Sequence, residues 1–262
     1  MKRQLLKSTL AFIFFCLTAA PAFAGSRNSD QAYLPAEDLV VLAKKVEKYA
    51  ARRGARVFLL ARVGRPPEDL PKGIRYTHVS YAVYSMIKTK DGRTLPGYAI
   101  HNLYQREDDP GRSDLVVDYP VDFLAGAHVA RVGVIIPTPA MQKRLYKVIT
   151  SDSYARLHNP SYSAIASPYN ARYQNCTEHV LDVLNAAIYQ TDDIKQLKAN
   201  TRAYFHAQEV RINPLKLFLG SIFKSEVKLS DQHGKVETAT FGTLVKYMQD
   251  NGLAESVGEV EL

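Results

Sequence analysis

A single cysteine, Cys176, remains once the predicted leader is removed, and this limits how the chain can be held together. Residues 1–24 combine a basic start, an apolar run and the ending Ala22-Phe23-Ala24, which is the pattern of a secretory signal peptide. The other cysteine, Cys16, lies inside the apolar run and is expected to be removed with it. The mature protein is therefore expected to be periplasmic or secreted and to have no intramolecular disulfide. Its fold must then depend on a hydrophobic core.

The remaining residues, 25–262, are enough for a single α+β domain with its own core. The leader takes three basic residues and no acidic one, which lowers the formal net charge from +8 to +5. This mild excess suits anionic polymers or lipid head groups of the cell envelope. Basic and acidic residues alternate along most of the chain, so no nucleic-acid-binding surface is predicted. No later apolar run reaches the roughly 18 residues of a transmembrane helix, and the oligomeric state is left open.

Hydrophobic periodicity predicts an antiparallel sheet packed against helices, with the strands early in the chain and the cysteine-bearing helix later. The strongest signal is a hairpin of two strands, 75–87 and 97–105, joined through Asp91-Gly92. The other predicted elements are a helix at 37–53, strands at 55–63, 115–119 and 129–136, a helix at 139–150, a long loop at 151–174, a short apolar helix at 214–223, a hairpin around 231–234 and a final helix ending near 252.

Asn175 and Glu178 indicate that a helix begins at Cys176. Asn175 can act as the N-cap, and Glu178, at the third helical position, can complete a reciprocal capping box. The free N–H groups and the dipole at a helix start favour a thiolate, so a lowered thiol pKa is expected. The alternative is a small buried apolar cysteine with no chemical role. The predicted export of a lone thiol and the predicted cap favour a reactive Cys176.

A nucleophilic cysteine needs a base, and the base needs an orienting group. His78 is the best-placed base because it lies at the start of the hairpin, although a half-buried structural histidine is the alternative. A two-residue turn at 91–92 would place His78 opposite Gln105, with His101 on the same face and Asn102 pointing away. A one-residue bulge would reverse that assignment. Gln105, Asn102 and His101 therefore all stay candidates for the orienting group.

His179 follows Cys176 by three residues, a spacing that two metal ligands on one helix can share. The mature chain offers no second cysteine and no His-x-x-x-His or His-Glu-x-x-His pattern. No metal or other cofactor is therefore expected, and His179 is interpreted, like Asn175 and Glu178, as a supporting residue of the site.

With these residues considered together, the whole mature chain resembles a secreted bacterial family known as domain of unknown function 2145. The resemblance is carried by five short stretches, namely Gly73 to His78, Tyr98 to Gln105, Ser113 to Leu115, Leu157 to Pro160 and Gln174 to His179. The family name implies no activity.

A weaker resemblance is to circularly permuted papain-like hydrolases of the NlpC type, in which a strand histidine precedes the helix that carries the cysteine. It implies a permuted papain-like fold in which Cys176 attacks a carbonyl, His78 transfers the proton and one of the three candidate polar residues orients the imidazole. With the predicted compartment, it implies a cell-envelope amide such as a cell-wall peptide as substrate.

Two further interpretations stay open. The same residues could act on an ester or lipid acyl group instead of an amide. Alternatively, the chain could be a non-catalytic envelope-binding module whose partner surface is formed by the loop at 151–174 and the apolar segment at 214–223.

Overall fold

The computed structural model describes residues 32–89, 91–210 and 227–262. The predicted signal peptide and the predicted helix at 214–223 lie outside these ranges. None of the helices in the described ranges is both long and apolar enough to cross a membrane. The helices are α1 (Ala36–Ala51), α2 (Pro120–Ala125), α3 (Pro139–Ile149), α4 (Asp152–Arg156), α5 (Cys176–Tyr189), α6 (Ile194–Tyr204) and α7 (Phe241–Asp250).

Six strands form one antiparallel sheet. They are β1 (Val57–Arg62), β2 (His78–Lys88), β3 (Thr94–Gln105), β4 (Ser113–Asp118), β5 (Arg131–Pro137) and β8 (Ala254–Glu261), in the spatial order β4-β3-β2-β1-β5-β8. Two short strands, β6 (Gln208–Glu209) and β7 (Glu237–Thr238), pair separately. The α+β class and the antiparallel sheet agree with the sequence-based prediction.

The sheet is covered by helices on both faces, so the molecule has three layers. Successive side chains of a strand point to opposite faces, and β1 is buried along its whole length. Phe58 and Leu60 pack with Leu42 of α1 on one face, whereas Leu59 packs with Leu181 of α5 on the other. We call the first the α1 face and the second the α5 face.

The register of the β2–β3 hairpin differs by one residue from the two-residue-turn prediction. Three residues separate Thr89 from Arg93, and the Thr89 N–H donates to the Arg93 carbonyl at 2.8 Å. Gly92 has a φ of 84°, as expected for the last position of a three-residue hairpin loop. The extra residue brings Tyr81 opposite His101. It therefore puts His78 and Asn102 on the same face, as the bulge alternative predicted.

The predicted hairpin around 231–234 is wrong. The strand that follows this turn, β7, pairs instead with the distant strand β6. The Gln232 side chain explains this, because its amide donates to the Ile165 carbonyl at 2.7 Å and its oxygen accepts from the Glu237 N–H at 3.0 Å. The turn is thereby fixed to the loop that precedes α5. That loop also contains α4, which the sequence did not predict.

Candidate active site

Cys176 is the first residue of α5, and Asn175 is its N-cap as predicted. The Asn175 side-chain oxygen accepts from the Glu178 N–H at 2.9 Å. The amide nitrogen of the same side chain donates to the Ala164 carbonyl and to the Thr238 hydroxyl, each at 3.2 Å. The cap therefore fixes the start of the helix and ties it to two neighbouring segments.

Glu178 does not complete a capping box, so that part of the prediction is wrong. Its side chain points into the interface between α5 and α6, where its carboxylate lies 2.6 Å from the Lys198 ammonium. Lys198 also bonds Asp182 at 2.8 Å, and Gln174 donates to Asp182 at 2.9 Å. Burial raises the pKa of Glu178 and of Asp182, while Lys198 opposes that shift. Glu178 thus supports the site by anchoring the helix that carries Cys176.

Strands β2 and β3 separate at the end of the sheet nearest Cys176. Their pairing ends where Tyr81 lies opposite His101, whereas β3 continues to pair with β4 as far as Gln105. The same register would next pair Ser80 with Asn102 and then Val79 with Leu103, but the β2–β3 pairing includes neither pair. A gap is therefore left between the two strands.

The Cys176 sulfur lies in this gap. Sγ is 3.8 Å from the Thr77 carbonyl oxygen and also faces the Val79 N–H, so it contacts the backbone on both sides of His78. The side chain packs with Leu103 and Tyr162 and is only 4% exposed. The first residue of α5 thus places its thiol between β2 and β3.

Burial raises the pKa of the Cys176 thiol above its ordinary value. The Val79 N–H, the Thr177 hydroxyl and N–H, and the Arg62 guanidinium all favour the thiolate, but their combined effect is smaller than the cost of desolvation. The prediction of a lowered pKa is therefore wrong for this closed site. A thiol in this setting is protonated at neutral pH.

His78 is fully buried on the α1 face. Its Nε2 lies 3.1 Å from the Asn102 side-chain oxygen and 3.2 Å from the Ser80 hydroxyl, and its ring stacks on Tyr104 with centroids 4.9 Å apart. Burial, followed by the nearby Arg62, holds the pKa of His78 well below its ordinary value. The imidazole is therefore neutral at physiological pH.

The contacts of Asn102 assign the tautomer of His78. The Asn102 NH₂ group donates to the Ile100 carbonyl at 3.1 Å and to the Asp118 carboxylate at 2.8 Å, and both of these groups accept only. The amide oxygen must then face His78, so Nε2 carries the proton. Nδ1 is left with a free lone pair, and it makes no hydrogen bond within the described ranges. This tautomer can act as a base.

The sulfur contacts the backbone on both sides of His78, but it is not hydrogen-bonded to the imidazole. Neither ring nitrogen of His78 contacts Sγ among the hydrogen bonds of the described residues. The His78 ring lies toward α2, with its centroid 5.6 Å from that of Phe123. Sγ lies on the opposite side of the strand, with Leu103.

The structure brings Asn102 to His78 but brings neither Gln105 nor His101 there. Both lie on the other face of β3, and the Gln105 amide donates to the Pro110 carbonyl at 2.8 Å. His101 meets the Tyr154 ring edge to face, and burial lowers the pKa of His101 to about 4. His179 also contacts Tyr154, and burial lowers its pKa to about 3.

A cavity of about 240 Å³ opens onto Cys176. Its walls are mostly apolar or hydroxyl-bearing, with Arg65 and Asp69 as charged groups. His78 does not line it. The remaining wall residues are Leu70, Pro71, Ile74, Tyr76, Thr77, Tyr162, Ala164, Ile165, Asn175, Thr177, Val227, Thr238, Ala239 and Thr240. In the part of the chain with assigned positions, no cluster of three or more histidine, cysteine or acidic side chains is suited to a metal ion.

Two charged residues of the site, Arg62 and Asp118, were not predicted from the sequence. Arg62 lies opposite His78 in the β1–β2 register, and its guanidinium carbon is 5.0 Å from the Phe123 ring centroid. Asp118 accepts from Asn102 and from the Tyr104 hydroxyl, each at 2.8 Å. The sequence could have indicated both residues, because each is a charged residue at the end of a strand. A charged side chain that is buried there needs a partner.

One family model, described as an uncharacterized protein conserved in bacteria (DUF2145), matches residues 49–248. No curated protein and no solved structure matches the chain significantly. The match spans both His78 and Cys176, but its description assigns no activity to either residue.

Proposed function

The chain belongs to the DUF2145 family, and we propose that it is a cysteine hydrolase that cleaves an amide bond in a cell-envelope peptide. The observation that carries this proposal is the contact of the Cys176 sulfur with the backbone of Thr77 and Val79, on either side of His78, whose imidazole is oriented by Asn102 at 3.1 Å. These residue types supply a nucleophile, a base and an orienting group. A permuted papain-like arrangement is part of the proposal, because the strand histidine precedes the cysteine helix.

The reaction would use general-base catalysis because both the thiol and the imidazole are neutral. Substrate in the Cys176 cavity would reorganise the gap so that His78 Nδ1 reaches the sulfur, since catalytic hydrogen bonds often form only with substrate bound. Nδ1 then takes the thiol proton while Sγ attacks the carbonyl carbon. The Cys176 N–H, at the start of α5, stabilises the oxyanion.

The remaining steps return the enzyme to its starting state. The C–N bond breaks, and the amine leaves with the proton that His78 held, which leaves an acyl thioester on Cys176. Water then attacks the thioester carbonyl while His78 accepts one of its protons. The C–S bond breaks, the carboxylic acid leaves, and His78 returns the proton to the sulfur. An ester or lipid acyl substrate would follow the same steps with a different leaving group.

The substrate class follows from the predicted export and from the shape of the cavity. Its volume of about 240 Å³ suits one or two side chains of a peptide, and Arg65 and Asp69 give its mostly apolar walls one charge of each sign. An exported hydrolase with such a cavity would encounter cell-wall peptides. Both the location and the substrate are parts of the proposal.

The test is an amide-hydrolysis assay of the purified chain on isolated cell-wall peptides. We expect Cys176→Ala and His78→Ala each to reduce the rate by at least about 10³-fold, because a nucleophile and its base act as one unit. His206→Ala is the matched control, since His206 is exposed and far along the chain from both residues. Full activity of Cys176→Ala would exclude this mechanism.

A non-catalytic binding module is the second candidate, and the closed state of the thiol favours it. Cys176 is 4% exposed, its pKa is raised by burial, and its sulfur makes no hydrogen bond to the imidazole. Alkylation across a pH series with a chloromethyl ketone built on a cell-wall peptide, which would occupy the cavity as a substrate does, separates the two candidates. The hydrolase requires that His78→Ala slow the alkylation of Cys176. Equal rates in the wild type and the variant would favour the binding module.

A further inference from the structure

A second cavity, of about 600 Å³, lies at the other end of the sheet. Arg56 and Tyr84 mark this end of the β1–β2 pair, and Arg62 and His78 mark the end at Cys176. Six strand residues separate the two ends, which corresponds to about 20 Å. The cavity shares no wall residue with the one at Cys176; its walls are Arg53, Gly54, Arg56, Tyr84, Pro139, Gln142, Lys143, Tyr146 and Glu255.

The walls of this cavity carry an excess of positive charge. Arg53, Arg56 and Lys143 contribute three cations, and Glu255 contributes one carboxylate. Over the ranges for which the structure gives positions, none of the three cations forms a salt bridge. A concave site with unneutralised cations attracts an anionic ligand.

The two arginines are held by aromatic rings. The Arg53 guanidinium carbon lies 3.7 Å from the Tyr49 ring centroid, and that of Arg56 lies 4.9 Å from the Tyr84 centroid. Stacking on a ring fixes the guanidinium plane and leaves its N–H edge available. Arg53 uses one N–H for the Tyr49 carbonyl at 3.3 Å. The other donors can bind an oxyanion in the bidentate manner typical of arginine.

The floor of the cavity is rigid because both the oxygen and the nitrogen of the Gln142 side-chain amide are hydrogen-bonded to the backbone. Its oxygen accepts from the Arg56 N–H at 2.7 Å and from the Val57 N–H at 3.2 Å, and its nitrogen donates to the Pro137 carbonyl at 2.8 Å. Gln142 therefore holds the backbone of Arg56 in place, and its amide has at most one further N–H for a ligand. The charge and the flat surfaces of the cavity come from the cations and the tyrosine walls.

We propose that this cavity binds a small phosphate ester that carries a flat ring. The phosphate would pair with Arg53, Arg56 and Lys143, and the ring would lie against Tyr84 and Tyr146, which are 36% and 48% exposed. A volume of about 600 Å³ is within the usual range for small-molecule sites. This inference does not depend on the proposed hydrolase activity.

Isothermal titration of the full chain with phenyl phosphate tests the proposal, with inorganic phosphate and phenol as partial ligands. We expect phenyl phosphate to bind at least about tenfold more tightly than either partial ligand, because only it engages both the cations and the rings. The double variant Arg56→Ala/Lys143→Ala should bind phenyl phosphate at least about tenfold more weakly than the wild-type chain does. Arg52→Ala/Lys147→Ala is the control, since it removes the same charge from neighbouring surface positions outside the cavity.

Two outcomes would overturn the proposal. Equal weakening in the two double variants would mean that only the general surface charge attracts phosphate. Binding to phosphatidylglycerol vesicles that phenyl phosphate does not displace, with no binding of phenyl phosphate itself, would mean that this end of the protein meets a membrane surface instead. Vesicle binding that phenyl phosphate displaces and that the cavity variant abolishes would support the site and identify a lipid phosphate as its source.

Discussion

At the scale of single residues, one amide group determines which nitrogen of His78 is available as a base. The Asn102 NH₂ group is fixed by the Ile100 carbonyl and the Asp118 carboxylate, so its oxygen must face His78. The sequence placed Asn102 among three candidates but could not choose, because the choice depends on one residue in the Thr89 to Arg93 turn. The raised pKa of Cys176 was also beyond the sequence, since burial by distant segments causes it.

The first prediction concerns Asp118, which is only 5% exposed. Burial raises the pKa of its carboxyl from the usual 3.8 to about 6. The protonated form therefore stabilises the folded state fully below about pH 4, and this contribution is lost as the pH rises through about 6. A shift of about two pKa units corresponds to about 3 kcal/mol.

Urea unfolding of the wild type and of Asp118→Asn at several pH values tests this shift. The free energy of unfolding of the wild type, minus that of the variant, should fall by about 2 to 3 kcal/mol between about pH 4 and pH 6.5. Taking the difference removes the contribution of the other titrating groups. A difference that is constant over this range would contradict the buried position of the Asp118 carboxyl.

At the scale of helices and strands, regular hydrophobic periodicity was sufficient for most of the longer elements and failed for β8, for α6 and for the short elements α2, α4 and β6. Helices α1, α3, α5 and α7 and strands β1 to β5 lie close to their predicted positions. Strand β8 was missed because it is an edge strand, paired on one side only, and of its residues only Val260 is buried. Helix α6 was missed because its apolar stripe is weak. Only three of its residues are buried, and one of these is the charged Lys198.

Asn175→Ala should destabilise the protein by about 1 to 2 kcal/mol, because the helix cap is lost together with the bonds to Ala164 and Thr238. Gln196→Ala is the matched control, since Gln196 also carries a side-chain amide but is exposed on α6, and its loss is expected to change stability by less than about 0.5 kcal/mol. Urea unfolding measures both. Equal effects of the two substitutions would mean that α5 does not depend on its cap.

Lys198→Met should cost about 3 to 5 kcal/mol at neutral pH, because it leaves the buried carboxylates of Glu178 and Asp182 without a cation. The cost should shrink on acidification, since protonation removes their mutual repulsion. Lys195→Met, on the exposed side of α6, is the control. Chemical denaturation at two pH values would detect the difference, and an equal and small loss in both variants would show that the cluster does not hold α5 to α6.

At the scale of the whole molecule, the segment matched by the family model is shorter than the folded domain. Residues 49–248 leave out most of α1 and the whole of β8. Helix α1 covers Phe58 and Leu60 on its face of the sheet, and β8 pairs with β5. The two outer elements also contact each other, since the Lys45 ammonium donates to the Glu261 carbonyl at 3.0 Å. The ends of the described chain therefore complete the core.

A fragment limited to residues 49–248 should consequently lack a cooperative unfolding transition, whereas residues 32–262 should unfold cooperatively. Loss of α1 uncovers the part of the α1 face that α2 does not cover, and loss of β8 leaves the β5 edge unpaired. Circular dichroism on heating distinguishes the two outcomes. A fragment 32–253 isolates the effect of β8. Cooperative melting of 49–248 at the temperature of the longer chain would refute this expectation.

The gap between β2 and β3 makes one backbone amide a spectroscopic reporter of the cysteine. In an unbroken sheet the Val79 N–H would donate to β3, but here it faces the Cys176 sulfur. Any group that becomes attached to the sulfur, including an acyl intermediate, changes the magnetic environment of this amide proton. The Val79 resonance in an ¹⁵N-resolved NMR spectrum should therefore shift when Cys176 is acylated or alkylated, which would allow occupancy of the thiol to be followed without a chromogenic substrate.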